Sequence, residues 1–313
     1  MSFPAAAVDS TREDVRAFVD EMRRDYDFDA KQLEQLLAGA QTKQSIIDAM
    51  TRPAERVAPW FEYRAQFLTP KRIQQGIEFS TAHQSRLKAI ADDELADIVI
   101  GILGVETLYG QLTGKFRVVD ALTTLAFEYP PRGEFFRDQL RQFLLLSREE
   151  FLDPATALGS YAGAMGAPQF IASSYRKYAV DADGDGKRDL WSNWDDIIGS
   201  VANYLRAYGW RDGEPVVVPA SLEDPDLSRF TVGKVDLNET VKSLRDKGVR
   251  FDTRQPPDAP AMLIVAQGKS GPEYRVAFQN FYVVTRYNRS LLYSMAVHDL
   301  GQAVEATAKV TSP

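Results

Sequence analysis

The run Asp92-Asp-Glu-Leu-Ala-Asp-Ile-Val-Ile-Gly-Ile-Leu-Gly-Val-Glu-Thr-Leu-Tyr-Gly110 reads as one helix that ends at a glycine. Leu95, Ile98, Val99, Ile102 and Leu103 recur at helical spacing, and Glu106 continues their stripe three residues after Leu103 and four after Ile102. A carboxyl group on that apolar face points inward. Leaving water disfavours its ionised form, so its pKa is expected to climb from about 4.3 toward neutrality, each unit being worth roughly 1.4 kcal/mol. A proton held there can be donated, which makes Glu106 the candidate catalytic acid. Two plainer readings stand beside this one: a buried Glu satisfied by an arginine or a hydroxyl, and a helix end that turns to solvent at Gly110.

Outward from this helix the first third of the chain stays helical. Ser10 with Glu13 has the form of a capping box, followed by the stripe Val15, Phe18, Val19 and Met22. Further helical patterns cover 29–38, 44–50 and 70–90. Another spans 132–150, with Phe135, Phe136, Leu140, Phe143 and Leu144 inward, and one over 195–208 has two acidic residues in its first turn. After Gly209 the texture changes. Residues 216–218, 262–266, 274–278 and 281–285 are β-rich runs separated by Pro, Gly and Asp, with a short helix at 240–248, and 290–308 returns to helical spacing. The expected fold class is mainly α (α+β).

Composition narrows the chemistry. The 313 residues are 44% hydrophobic, ample for a core, and a net charge of -7 gives no basic footprint for nucleic acid. There is no cysteine, which removes disulfides, thiolate metals and thiol nucleophiles, and only His83 and His298 carry imidazole. Two histidines so far apart do not make a multi-His zinc site, so carboxylates must do any acid–base work. No apolar run approaches the roughly 20 residues of a membrane span, and the N-terminus lacks a basic region before a long apolar one.

Asp181-Ala-Asp-Gly-Asp-Gly-Lys-Arg-Asp189 matches nine positions of an EF-hand loop, with oxygen donors at 1, 3, 5 and 9 and glycine at the sharp turn in 6. Asp181, Asp183, Asp185 and Asp189 are the expected side-chain ligands, and Lys187 supplies a backbone carbonyl. Ser192 stands where the bidentate Glu belongs, so Asp195 on the next helix is expected to close the shell. Carboxylates crowded on one turn repel unless a cation neutralises them, and structural Ca2+ is the expected cofactor. The alternative is a solvated Asx-turn loop balanced by Lys187 and Arg188.

Gly104-Val-Glu-Thr107, Gly159-Ser-Tyr-Ala-Gly-Ala-Met-Gly-Ala-Pro-Gln-Phe170, the acidic loop and Thr285-Arg-Tyr-Asn288, in this order, resemble the membrane-bound lytic murein transglycosylase B family. The resemblance implies a lysozyme-like helical core flanked by a helical lobe and a small antiparallel β-sheet lobe. In this chain these would be a helical lobe over 1–92 joined by the 290–308 helix, a catalytic core over 93–213 with the calcium loop at 181–195, and a β lobe over 214–285. It also implies cleavage of the β-1,4 bond between N-acetylmuramic acid and N-acetylglucosamine in peptidoglycan. Glu106 would protonate the glycosidic oxygen and then activate the sugar's own 6-hydroxyl, leaving a 1,6-anhydro product. The rival activities are hydrolysis by a muramidase and non-catalytic, calcium-dependent wall binding.

By the same resemblance Ser160, Met165 and Gln169 line the cleft, Tyr63, Tyr204, Tyr287 and Tyr293 supply groove aromatics, Asn288 neighbours the acid, and Arg132 meets stem-peptide carboxylates. Each also has a structural reading: the serine as a turn cap, the methionine as core, the arginine in a surface salt bridge. Two departures bear on the pocket. Ile171-Ala172 stands where the family usually has Met-Pro, and Leu108 replaces an aromatic residue. The expected partners are peptidoglycan strands with their stem peptides, together with wall synthesis or turnover enzymes. The expected location is the periplasm; an anchored member would carry a lipobox cysteine, which is missing here.

Overall fold

The computed structural model describes residues 6–51, 58–90 and 92–311. Two compact units share the chain: Met1–Glu55 with Gly110–Ile197, and Arg56–Tyr109 with Ile198–Pro313. Helices dominate both, and the β structure is small and antiparallel.

In the first unit the Val118–Glu128 helix forms the centre, with every residue from Val118 to Phe127 buried. A helix apolar nearly all round must be enclosed on all sides, and Gly133–Glu149 packs along it. Phe136, Leu140, Phe143 and Leu144 face inward as expected. Phe135 does not: it is exposed, one residue and about 100° around from Phe136, whose ring it meets edge-on at 5.0 Å. The buried Asp120 carboxylate takes the Arg117 guanidinium at 2.6 Å, the Lys43 ammonium at 3.3 Å and the Gln41 amide at 2.9 Å. That pairing makes its burial tolerable.

The Glu13–Tyr26 helix buries Val15, Phe18, Val19 and Met22, but its start differs from the capping box read in the sequence. The helix begins two residues later than Ser10 would set it, after Arg12, while Asp9 caps the preceding turn by accepting the Thr11 amide at 2.9 Å.

The second unit holds a five-stranded antiparallel sheet in the order Glu239–Thr240, Pro260–Gly268, Gly271–Ala277, Val217–Leu222, Val249–Arg250. The short Val241–Asp246 helix closes one face over Val249, Leu263 and Val276. Residues 281–285, read as a strand, belong instead to the Gln279–Tyr287 helix. Their β-branched and aromatic character is overridden because Asn280, Phe281, Val283, Val284 and Thr285 are buried on one helical side. The Asn280 amide also ties the helix start to the Arg211 and Glu214 carbonyls, both at 2.8 Å. The pattern over 70–90 breaks into Pro70–Ala82 and Gln84–Ala89 at His83, whose backbone leaves helical geometry.

Against the Asp93–Thr107 helix lies Leu291–Thr311, the longest helix of the described residues. Their backbones approach closely because each contributes a glycine at the crossing. A Cβ on Gly101 would strike the Val297 carbonyl, and one on Gly301 the Asp97 carbonyl.

Candidate active site

Asp92 caps the Asp93–Thr107 helix by accepting the Leu95 amide at 2.6 Å. The other end stops abruptly one residue after Glu106. Leu108 and Tyr109 both adopt left-handed backbone geometry, with φ of 52° and 57°, and both amides return to the Leu103 carbonyl. Non-glycine residues held there cost about 1–3 kcal/mol each and persist only where packing over-determines them. Glu106 therefore sits in a last turn whose direction is fixed.

Glu106 is half-buried, and its Oε1 accepts the Tyr293 hydroxyl at 2.6 Å. Burial pushes its carboxyl up to about 7, against the Tyr293 hydrogen bond, which favours the ionised form. The tyrosines read from the sequence gather in this unit. Tyr293 is 3% exposed, and burial together with the Glu106 charge holds the Tyr293 and Tyr287 phenols far above their ordinary value, so both remain protonated donors. Tyr287 meets Tyr204 edge-on at 5.0 Å, Tyr204 lies 4.7 Å from Tyr208, and the Tyr204 hydroxyl donates to the Arg286 carbonyl at 2.8 Å. Tyr63 is half-buried beside Phe67 and within electrostatic reach of Tyr293. Asn288 is exposed, and its carbonyl accepts the Ser290 amide at 2.7 Å. Among the described residues no hydrogen bond joins it to Glu106.

Ser160, Met165, Gln169 and Arg132 belong to the other unit. The first three share one tight turn system. Ser160 Oγ accepts the Ala162 and Ala164 amides at 3.3 and 3.1 Å, the turn-capping role open to it from the start. Met165 is fully buried and exchanges backbone hydrogen bonds with Phe170 at 2.8 and 3.1 Å. Gln169 is left-handed, with φ of 54°, and spends its amide nitrogen on the Thr113 and Gly166 carbonyls at 3.0 and 2.9 Å, so its carbonyl oxygen is what it can offer a ligand. Arg132 forms no salt bridge among the described residues. Its guanidinium lies over the Phe135 and Phe136 rings at 4.4 and 5.2 Å, lining a cleft of about 580 Å³.

The acidic loop is organised around its own amides. Asp181 accepts those of Gly184, Asp185 and Gly186 at 2.7, 3.1 and 2.8 Å, Asp185 accepts that of Lys187 at 2.8 Å, and Asp189 those of Trp191 and Ser192 at 2.7 and 3.1 Å. Asp181, Asp183 and Asp196 bring carboxylate oxygens within 4.8 Å of one another. The Asp196 carboxylate also reaches the loop from the helix, accepting the Ala182 and Asp189 amides at 2.7 and 2.8 Å. Successive helical residues diverge by about 100°, and Asp196 shares the buried side with Ile197 and Ser200, while Asp195 is half-buried on the first turn. That stripe was the available signal. Burial raises the Asp196 carboxyl, the Ala182 and Asp189 amides lower it, and Asp183 and Asp181 raise it further by repulsion. An all-oxygen, acidic donor set under mutual repulsion suits a hard divalent cation.

The family model described as the transglycosylase SLT domain matches residues 10–302. The chain is 39% identical over 304 residues to the membrane-bound lytic murein transglycosylase B of Escherichia coli K12, covering 94% of this chain and 82% of that protein. The catenated lytic transglycosylase SltB1 of Pseudomonas aeruginosa superimposes with a TM-score of 0.91 at 46% identity, over 95% of this chain and 98% of that one. The Escherichia coli lytic transglycosylase Slt35 in complex with calcium gives a TM-score of 0.86 at 37% identity, with 97% of each chain covered. With a match along nearly its whole length, the chain belongs to the transglycosylase SLT domain family and is an enzyme of the lytic transglycosylase type.

Proposed function

We propose that this protein cleaves the β-1,4 bond between N-acetylmuramic acid and N-acetylglucosamine in peptidoglycan, with Glu106 as the single acid and then base. The observation that carries the reading is a carboxyl pushed up to about 7 by burial while one oxygen is held by Tyr293. With Oε1 accepting the phenol, Oε2 is left to carry the proton. Glu106 gives that proton to the glycosidic oxygen, the C1–O bond breaks, and the muramyl N-acetyl group stabilises the positive charge left at C1. The Tyr293 hydrogen bond stabilises the carboxylate so formed. Glu106 then takes the proton of the 6-hydroxyl as O6 bonds to C1, closing the 1,6-anhydro ring without water.

A second catalytic carboxylate is not required. Asp97, also pushed up to about 7 by burial, stands on the same helix nine residues before Glu106. That spacing is about 13.5 Å of rise and half a turn away in phase, beyond the 5–9.5 Å of paired glycosidase acids. The measurement is mass spectrometry of digested sacculi. Anhydromuramyl ends are expected; reducing ends heavier by one water would identify a muramidase instead.

We further propose that Asp181, Asp183, Asp185, Asp189 and Asp195, with the Lys187 carbonyl, hold calcium, and that Asp196, whose carboxylate lies near those of Asp181 and Asp183, braces the loop beside the ion. When bound, the ion would cancel their repulsion and tie the loop to the helix start. The groove tyrosines, Ser160, Met165, Gln169 and Asn288 are assigned to glycan binding, and Arg132 to stem-peptide carboxylates. The division into lobes 1–92, 93–213 and 214–285 is retained as a proposal, testable by limited proteolysis. Substrate chemistry assigns the work to the periplasm, beside other wall enzymes; no helix of the described residues is long and apolar enough to cross a membrane.

A further inference from the structure

Two consecutive non-glycine residues in left-handed geometry, Leu108 and Tyr109, start one residue beyond the Glu106–Thr107 end of the helix and need something to hold them. The second, Tyr109, is 7% exposed, and its ring stacks on Phe79 with centroids 5.3 Å apart and planes 24° from parallel. Two glycines make room for it. A Cβ on Gly104 would lie 2.7 Å from the Tyr109 hydroxyl and 2.8 Å from Cζ, and one on Gly76 would collide with the same hydroxyl and with Val304. The hydroxyl itself has no hydrogen-bond partner among the described residues. Tyr109 therefore contributes a ring in a slot, and its polar end makes no bond that would explain a tyrosine by hydrogen bonding.

We infer that Tyr109 is the positioning residue of the catalytic acid: its ring, seated against Gly76, Gly104 and Phe79, locks the left-handed turn that ends the helix and so holds the Glu106 carboxyl in its dry orientation. The inference rests on the reading of Glu106 as the acid. The turn has no freedom to relax while the ring is seated, since Leu108 and Tyr109 both bond back to the Leu103 carbonyl and Thr107 between them and the acid is fully buried. Losing the ring opens the last turn to water without touching any group that contacts sugar. A 1 Å misplacement of a reacting group is enough to lower turnover about a hundredfold.

The test follows the Glu106 carboxyl by carbon NMR titration, a readout independent of which product the enzyme makes. Tyr109→Phe keeps the ring and is expected to leave the midpoint near that of the unaltered protein, with normal turnover. Tyr109→Gly keeps the left-handed backbone at ease but empties the slot. Its Glu106 midpoint is expected to fall by about one unit toward the ordinary glutamate value, with kcat down about a hundredfold and KM within about threefold. A Tyr109→Gly midpoint and kcat both unchanged would overturn the inference. Should that variant not fold, Gly76→Ala displaces the ring by its hydroxyl end, and combining it with Tyr109→Phe and Val304→Ala removes both clashing groups. A midpoint lowered in Gly76→Ala and recovered in the triple variant supports the slot; an unmoved midpoint in Gly76→Ala overturns it. Failure of the unaltered protein to yield anhydro ends would sink the proposed reaction and leave this titration result standing by itself.

Discussion

Glu106→Gln should make the protein more stable at alkaline pH while abolishing turnover. The carboxyl rises from 4.5 to about 7 on folding because burial penalises its charge. Between those values the folded state binds more protons at this site than the unfolded chain, so stability falls as pH rises through the window and levels off above it. A shift of about 2.5 units corresponds to roughly 3 kcal/mol of destabilisation above pH 8, and almost none below pH 4. Glutamine keeps the shape and an acceptor for Tyr293 but has no charge to bury. The variant's advantage should therefore be small at pH 4 and grow to about 3 kcal/mol by pH 8. For a unit of roughly 170 residues that is a Tm difference of about 6–12 °C. Calorimetry of both proteins at matched ionic strength from pH 4 to 8 reads this directly. A Tm difference that stays flat across the range would refute the claim that a buried, water-poor carboxyl occupies this position.

Tyr293→Phe removes the hydrogen bond that favours the ionised acid, so the Glu106 midpoint should rise by about one unit and the alkaline limb of kcat/KM should move up with it. A downward shift would show the opposite coupling. Removing divalent ions should lower Tm, and adding calcium back at a hundred times its Kd should restore about 2.7 kcal/mol; Asp181→Asn and Asp183→Asn should each blunt that response. Gly301→Ala forces a methyl into the Asp97 carbonyl and should cost about 2–3 kcal/mol, measured by urea unfolding.

Glu106 was legible in the sequence because a helix repeats on a fixed angle: a carboxylate in phase with Leu95, Ile98, Ile102 and Leu103 must share their surroundings. Equally local signals, helical periodicity, β-rich runs between breakers and EF-hand spacing, located the amphipathic helices, three strands of the sheet and the acidic loop. Where neighbours in space decide, the linear pattern was insufficient. Residues 281–285 have the composition of a strand, yet they coil because the faces available to them are those of a helix packed on a buried interior. Asp195 and Asp196 are chemically identical side by side, and only the direction of the helix's buried face puts Asp196 against the Ala182 and Asp189 amides of the loop. The partner of the acid, Tyr293, lies 187 positions along the chain from it, and the slot that seats Tyr109 joins Gly76, Phe79 and Gly104 from two helices. Periodicity reports which way a side chain faces; what it meets there is set by long-range packing, which no local spacing encodes.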